Sequence, residues 1–198
     1  SDLIADSCSG KEVLEAGSGE GYGGAMLAAA GATVTCVDYD ASAVEHTRRR
    51  YPQLTMIQGN LVDLPLPDES VDVVVMHSVA QYVPPQELDA LFRLFRKLLK
   101  PGGLFVLGDV IPRKVSALTD AMALLRFGSE EGFTWPALKG LVRTRFSNYW
   151  QLRKSLGLER YDEGEITAKI EAVGFSVQRA RSNIGHNAKR MTFLAHAR

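Results

Sequence analysis

The sequence predicts an α/β fold, a doubly wound sheet of seven strands that is mostly parallel and carries helices on both faces. Short β-branched and apolar runs alternate with helical patterns through residues 11–110, which is the rhythm of a parallel sheet. The run from Val71 to Met76 is rich in valine, as a central strand buried on both faces requires. The last two strand patterns, 175–182 and 191–196, flank a short loop and predict a C-terminal antiparallel hairpin strand.

Glycine and acidic residues mark the limits of the elements in the first half. The predicted elements are a strand at 11–16, a helix at 21–30, a strand at 33–38, a helix at 41–50 and a strand at 54–59. Gly31 follows the first helix as a C-terminal stop, and Asp40 has the position of an N-cap for the second. We expect the ligand of such a sheet outside the carboxyl ends of its strands, where the strand order reverses.

A long insertion interrupts this alternation in the second half. A helix begins at Pro84 and Pro85, with apolar residues at the 3.6-residue period, and a fifth strand covers 104–110. Residues 111–161 contain two helical stretches, 116–127 and 137–156, and no clear strand. A helix at 162–173 then leads into the hairpin. We therefore predict one domain over 1–198, with a core at 11–110 and 162–198 and a helical cap at about 111–161.

Composition excludes some partners and disfavours others. The chain has 198 residues, 45% of them hydrophobic and 23% charged, and no apolar run approaches the roughly 20 residues that span a bilayer. Its two cysteines have neither disulfide nor metal-site spacing, which makes a reducing cytoplasm the simplest location. The formal charge is zero overall, but residues 101–198 carry 15 basic and 9 acidic residues. Solvated helix faces explain this excess more simply than nucleic acid does, since no basic run has interleaved aromatics.

A glycine-rich segment follows the first strand, reading Val13-Leu14-Glu15-Ala16-Gly17-Ser18-Gly19-Glu20-Gly21. Glycines allow a sharp turn and a close approach of the backbone to a ligand. A dinucleotide fingerprint, G-x-G-x-x-G, fails here because the sixth position counted from Gly17 is Tyr22. The pattern acidic-x-G-x-G-x-G, counted from Glu15, resembles the first motif of the class I S-adenosylmethionine-dependent methyltransferases, a Rossmann-like superfamily.

Three further landmarks strengthen this resemblance. Asp38 ends the second strand, where a carboxylate can accept both hydroxyls of a ribose. Asn60 follows Gly59 where many relatives have Asp, and its amide oxygen can still accept from an adenine amino group. The exit of the central strand begins at Met76. The resemblance implies S-adenosyl-L-methionine as cofactor, S-adenosyl-L-homocysteine as product, and cofactor contacts at Glu15, Gly17, Ser18, Gly19, Asp38, Tyr39, Asn60, Leu61, Met76 and His77.

Two residues of the central strand's exit are the candidate catalytic residues. An oxygen nucleophile of high pKa needs a general base, and His77 is placed to face the transferred methyl group. A local packing role for His77 is the alternative. Tyr82 could orient a hydroxyl of the acceptor, and His186, between the last two strands, is a second candidate base. No metal site is expected, because the histidines and cysteines have no ligand spacing.

The leading hypothesis is an enzyme that methylates an oxygen or nitrogen of a small organic acceptor. An RNA or protein methyltransferase is the alternative within the transferases. A nicotinamide-dependent oxidoreductase fits less well, because the glycine register is wrong and no Tyr-x-x-x-Lys pair is evident. A cofactor-binding module without catalysis is the fourth possibility. The sequence leaves the oligomeric state open.

Overall fold

The computed structural model describes residues 4, 7–114, 158–185 and 187–198. Its seven described strands form one sheet in the order β3-β2-β1-β4-β5-β7-β6. The strands are β1 (Glu12–Ala16), β2 (Thr33–Asp38), β3 (Thr55–Gln58), β4 (Val71–His77), β5 (Leu99–Val110), β6 (Phe175–Arg179) and β7 (Met191–Ala197). Only β7 runs antiparallel to its neighbours, β5 and β6. The predicted sheet, mostly parallel with an antiparallel C-terminal strand, is confirmed.

The described helices lie where the sequence patterns place them. They are α1 (Tyr22–Ala29), α2 (Ala41–Arg50), α3 (Pro85–Leu98) and α4 (Glu163–Glu171), with short 3₁₀ turns at Leu61–Asp63 and Ala80–Tyr82. Asp40 caps α2, because its carboxylate accepts from the backbone N–H groups of Ser42 and Ala43. Gly31 has φ of 93° just beyond α1 and ends that helix as predicted.

The order of strands puts the reversal between β1 and β4. From β1 the chain winds outward through β2 to β3, then returns across the sheet to β4 on the other side of β1. The loops after β1 and β4 therefore leave the sheet in opposite directions, and a crevice opens between them at the carboxyl edge. This is the edge at which we expect a ligand.

The core has two layers, one on each face of the sheet. Alternate residues of each central strand point to opposite faces, so Val13, Val73 and Val75 belong to one buried cluster. Leu14 and Met76 belong to the other, which includes the aromatic side chains of α3 and β5. Both faces of the central strands are buried, which holds the carboxyl ends of β1 and β4 in a fixed relation.

The fifth and sixth strands differ from the predicted limits. β5 begins at Leu99 rather than 104, because Val71 pairs with Leu99 before the register shifts and Val73 pairs with Leu104. The intervening Lys100–Gly103 segment thus forms an irregularity inside the ladder. β6 ends at Arg179, short of the predicted 182.

The predicted cap falls largely on residues that the structure does not describe. Its two helical stretches, 116–127 and 137–156, lie outside the described residues, and the cap remains a prediction. Its described ends lie side by side, since the Tyr161 N–H donates to Ile111 O at 3.0 Å and Pro112 bridges Tyr161. Within the described ranges, no helix is long and apolar enough to cross a membrane.

Candidate functional site

A cavity of about 710 Å³ opens at the carboxyl ends of β1, β2 and β4. Its walls come from six segments: the loop after β1, the end of β2, the start of α2, the turn after β3, the exit of β4 and the first half of α3. The lining residues are Gly17, Ser18, Gly19, Asp38, Tyr39, Asp40, Ala43, Gly59, Asn60, Leu61, Val62, His77, Ser78, Val79, Tyr82, Val83, Glu87 and Leu91. The position agrees with the expected crevice.

The loop after β1 forms one wall with its bare backbone. Gly17 and Gly19 have φ of 79° and 53°, a left-handed conformation that side-chain-bearing residues rarely adopt. Val79 also packs closely against Gly17, because a Cβ on Gly17 would lie 2.4 Å from Cγ2 of Val79. A Cβ on Gly19 would meet nothing within 4 Å. The backbone near Gly19 is therefore open to a ligand, while Gly17 packs on the opposite segment.

Glu15 lies beneath this loop and is not among the cavity's lining residues. The residue is 6% exposed, and its Oε2 accepts from the Cys36 thiol at 3.4 Å. Gly23 of α1 has no room for a Cβ, which would lie 2.0 Å from Glu15 Oε1. Burial raises the pKa of the Glu15 carboxyl to about 7, although Cys36 and the Gly24 N–H donate to it. Glu15 thus supports the loop from below.

Asp38 connects the loop to the end of β2. Its Oδ2 accepts from the Gly19 N–H at 2.7 Å, and its Oδ1 accepts from the Asp40 N–H at 3.0 Å. A carboxylate has about four acceptor positions, so both oxygens retain capacity for ligand hydroxyls. The carboxylate therefore sits at the rim with its orientation set by the backbone.

The wall beyond Asp38 combines an exposed ring with a short turn. Tyr39 is 72% exposed at the cavity's edge. Asn60 caps the 3₁₀ turn, since its Oδ1 accepts from the Val62 N–H at 3.3 Å. Part of its acceptor capacity is therefore used locally, and the second lone pair of the amide oxygen remains for a ligand. Leu61 adds an apolar side chain to the same wall.

The exit of β4 forms the facing wall. His77 and Tyr82 both line the cavity, whereas Met76 is fully buried in the core and does not. The ring of His77 lies over β5, because a Cβ on Gly108 would be 2.8 Å from His77 Nδ1. The structure thus brings the two candidate catalytic residues to the same cavity as the glycine loop.

Sequence reasoning missed several residues of this wall. Ser78 and Val79 line the cavity, and Glu87 and Leu91 reach it from α3. The regular apolar spacing of α3 could have indicated Leu91, but no local pattern marks Ser78. Nor does one mark Asp109, which is 2% exposed and whose carboxylate accepts from the Ser78 hydroxyl.

The predicted site residues divide by position. Those that meet at the cavity are Gly17, Ser18, Gly19, Asp38, Tyr39, Asn60, Leu61, His77 and Tyr82. Glu15 and Met76 lie behind its wall, and His186 lies outside the described residues. In the described part of the chain, no three His, Cys, Asp or Glu side chains cluster as a metal site would need.

A family model and several curated relatives are methyltransferases. Residues 14–107 match the family model described as "Methyltransferase domain". A probable S-adenosylmethionine-dependent methyltransferase of Mycolicibacterium smegmatis is 45% identical over 105 residues, 52% of this chain and 39% of the relative. A fatty-acid O-methyltransferase of the same organism is 32% identical over 143 residues, 68% of this chain and 51% of the relative.

Solved structures agree at the level of the fold. Magnesium protoporphyrin IX methyltransferase from Synechocystis, solved with bound S-adenosylhomocysteine, superposes with a TM-score of 0.68 at 20% identity and covers 99% of this chain and 78% of that one. The chain spans about half, or less, of the length of the curated relatives described above. Residues 14–107 thus match a methyltransferase domain in sequence, and the fold is that of solved methyltransferases.

Proposed function

We propose that the protein transfers a methyl group from S-adenosyl-L-methionine to an oxygen or nitrogen of a small organic acceptor. One observation carries this proposal: a single cavity is lined by the glycine loop and Asp38 and also by His77 and Tyr82. A nucleoside bound along the glycine loop and Asp38 would direct its reactive end toward His77 and Tyr82. We also infer a cytoplasmic location, since both cysteines are free and buried.

The residues present fit the cofactor. The open backbone at Gly19 suits close approach of the methionine part, and the Asp38 carboxylate retains acceptor capacity for ribose hydroxyls. The exposed ring of Tyr39 offers an apolar face for the adenine, and the amide of Asn60 lies at the same end of the cavity. Glu15 supports the loop that carries these contacts and would act through it.

The protein's part in the reaction is alignment and proton handling. When bound, the cofactor supplies a methyl group already activated on a sulfonium. The walls of the cavity then hold the acceptor in line with that group and exclude water. His77 would accept the proton of an acceptor hydroxyl, and Tyr82 would orient that hydroxyl by a hydrogen bond. An acceptor that is already ionised would need only the alignment.

The acceptor side of the cavity combines apolar and polar side chains. Val79, Val83 and Leu91 line it beside the polar groups of His77, Ser78, Tyr82 and Glu87. Such a lining suits a small molecule with an apolar body and one or two polar atoms. The relative named as a fatty-acid O-methyltransferase is consistent with an acceptor of this kind. An apolar organic acid is therefore the first class of acceptor to assay.

An acceptor screen tests the proposal directly. Purified protein and S-adenosylmethionine are incubated with a panel of fatty acids, phenols, amines and tRNA, and S-adenosylhomocysteine release is measured. We expect release with a small organic compound, and mass spectrometry of that compound should show one added methyl group. Loss of turnover in His77→Ala, with cofactor binding retained, would support the base. Turnover with tRNA or a protein alone would contradict the small-molecule assignment.

The RNA alternative makes a separate physical prediction. The basic second half of the chain would bind a polyanion by releasing counterions, so affinity for RNA would fall steeply with salt. We expect instead only weak association with a tRNA mixture. Measurement of tRNA binding at two salt concentrations distinguishes the two cases.

A further inference from the structure

Two ordinary residues with unusual backbones lie side by side next to the cavity. Ser78 has φ of 57° and Asp109 has φ of 66°, and neither is glycine. They follow directly after paired positions, since His77 of β4 is opposite Gly108 of β5. Left-handed backbone costs free energy for residues with a Cβ, and it persists only where surrounding contacts enforce it. The contacts that enforce it here can be identified.

All three polar groups of Ser78 are engaged. Its hydroxyl donates to Asp109 Oδ2 at 2.6 Å, its N–H donates to Gly108 O at 3.1 Å, and its carbonyl accepts from Gln81 Nε2 at 2.7 Å. The hydroxyl bond joins the loop after β4 to the end of β5. Ser78 is thus held from both sides in its left-handed conformation.

Asp109 is itself anchored away from the cavity. Its carboxylate accepts from Asn183 Nδ2 at 2.8 Å and forms an ion pair with Arg190, whose side chain is 9% exposed. Burial tends to raise the pKa of Asp109, but Arg190, Ser78 and Asn183 outweigh it and hold the pKa below its ordinary value. The carboxylate is therefore a charged, fixed acceptor, which strengthens its bond to the Ser78 hydroxyl.

Ser78 stands between two residues that shape the site. Val79, the next residue, occupies the space that a Cβ on Gly17 would need, so its position limits where the glycine loop can lie. His77, the preceding residue, lines the acceptor side. A change in the backbone at Ser78 would move both neighbours at once.

The geometry points to Asp109 and Ser78 as positioning residues for the cofactor site. Asp109, anchored by Arg190, holds Ser78 in its left-handed conformation, and that conformation sets Val79 against the glycine loop and His77 toward the acceptor. This inference rests on the proposed placement of the cofactor along the glycine loop. It assigns a role in binding to two residues, one of which does not line the cavity.

Two substitutions at one position separate positioning from simple stabilisation. Ser78→Ala removes the hydroxyl and keeps the penalty of left-handed backbone, whereas Ser78→Gly removes both. We expect Ser78→Ala to weaken S-adenosylhomocysteine binding about tenfold, and Ser78→Gly by about threefold or less. Isothermal calorimetry measures the affinity, and hydrogen exchange of residues 77–83 should be faster in the alanine variant. Glu69→Gly is the matched control, because Glu69 also has positive φ (52°) and is absent from the cavity lining.

A double-mutant cycle tests whether Asp109 acts through Ser78. Asp109→Asn alone should weaken S-adenosylhomocysteine binding, but it should add little once Ser78→Ala is present. Its effect on the melting temperature should instead persist in the double variant, because Arg190 loses its charged partner in either background. If Asp109→Asn does not fold, the comparison of Ser78→Ala with Ser78→Gly still tests the inference.

Equal affinity of the alanine and glycine variants for S-adenosylhomocysteine would overturn the inference. If both variants also had wild-type affinity and a lowered melting temperature, the network would be purely structural. A wrong assignment of the cofactor site gives a different result. In that case the single substitution Asp38→Ala would leave the affinity for S-adenosylhomocysteine unchanged. The acceptor's identity does not enter the test.

Discussion

At the scale of single residues, two carboxylates at neighbouring strand ends have opposite surroundings. Asp38 lies at the rim of the cavity and accepts from two backbone N–H groups, whereas Glu15 is buried beneath the loop, and its pKa is raised to about 7. The sequence marked both as acidic residues at the ends of β1 and β2. Their exposure differs because Glu15 lies behind the glycine loop, whereas Asp38 lines the cavity.

Asp38→Ala should weaken cofactor binding. Hydrogen bonds to a charged group contribute about 1.5–3 kcal/mol, so the affinity for S-adenosylhomocysteine should fall by about tenfold or more. Calorimetric titration measures the change. Asp68→Ala removes a carboxylate that is mostly exposed and is not part of the cavity lining, and it should bind as the wild type does. Equal affinities for the two variants would contradict the ribose assignment.

Glu15 should make stability depend on pH in a defined direction. Its folded-state pKa of about 7 lies above the ordinary 4.5, so its stabilising contribution is complete below about pH 4.5 and is lost as pH rises through 7. The loss is on the order of 3 kcal/mol. Glu15→Gln removes this pH dependence. In urea unfolding, the free energy of unfolding of the variant relative to the wild type should therefore be higher at pH 8 than at pH 5. Glu12→Gln, at an exposed site in β1, should show no such difference.

At the scale of elements, the loop after β1 and the exit of β4 are fitted to each other. The alternating glycines of the loop were predicted as a ligand cradle from their spacing, and Gly17 and Gly19 do line the cavity. The spacing could not show that Gly17 is also required by Val79, 62 positions further along the chain, because that contact depends on the pairing of β1 with β4. The loop therefore has two constraints, one local and one tertiary.

Gly17→Ala should reduce affinity by more than its backbone penalty alone explains. Its Cβ would meet Val79 at 2.4 Å, while Gly102, with a similar φ of 73°, has open space around it. The left-handed backbone should lower the stability of both alanine variants by about 1–2 kcal/mol, and the contact with Val79 should lower that of Gly17→Ala further. Only Gly17→Ala should also weaken S-adenosylhomocysteine binding, and Val79→Ala should partly restore it. Calorimetry and thermal melts of the three variants test this, and an equal loss of affinity in Gly102→Ala would contradict the fit.

At the scale of the whole molecule, a ligand that joins the two halves of the crevice should stabilise the fold. S-adenosylhomocysteine at 100 times its dissociation constant should add about 2.7 kcal/mol. For a chain of this length that corresponds to a melting temperature raised by roughly 5–10 °C. Thermal melts with and without the nucleoside measure the shift. NADH is the control, and a comparable shift with it would contradict the assignment of the crevice.

The sequence by itself determined the element order, the parallel sheet with one antiparallel strand, and the glycine loop that lines the cavity, because these depend on local periodicity and on residues such as Gly31 and Asp40 that end or cap a helix. Tertiary structure alone decided which residues face the cavity. It placed Met76 in the core although its neighbour His77 lines the site, and it joined Ser78 to Asp109 and Arg190. Those contacts arise where separate strands end together, and no local pattern encodes which ends will meet.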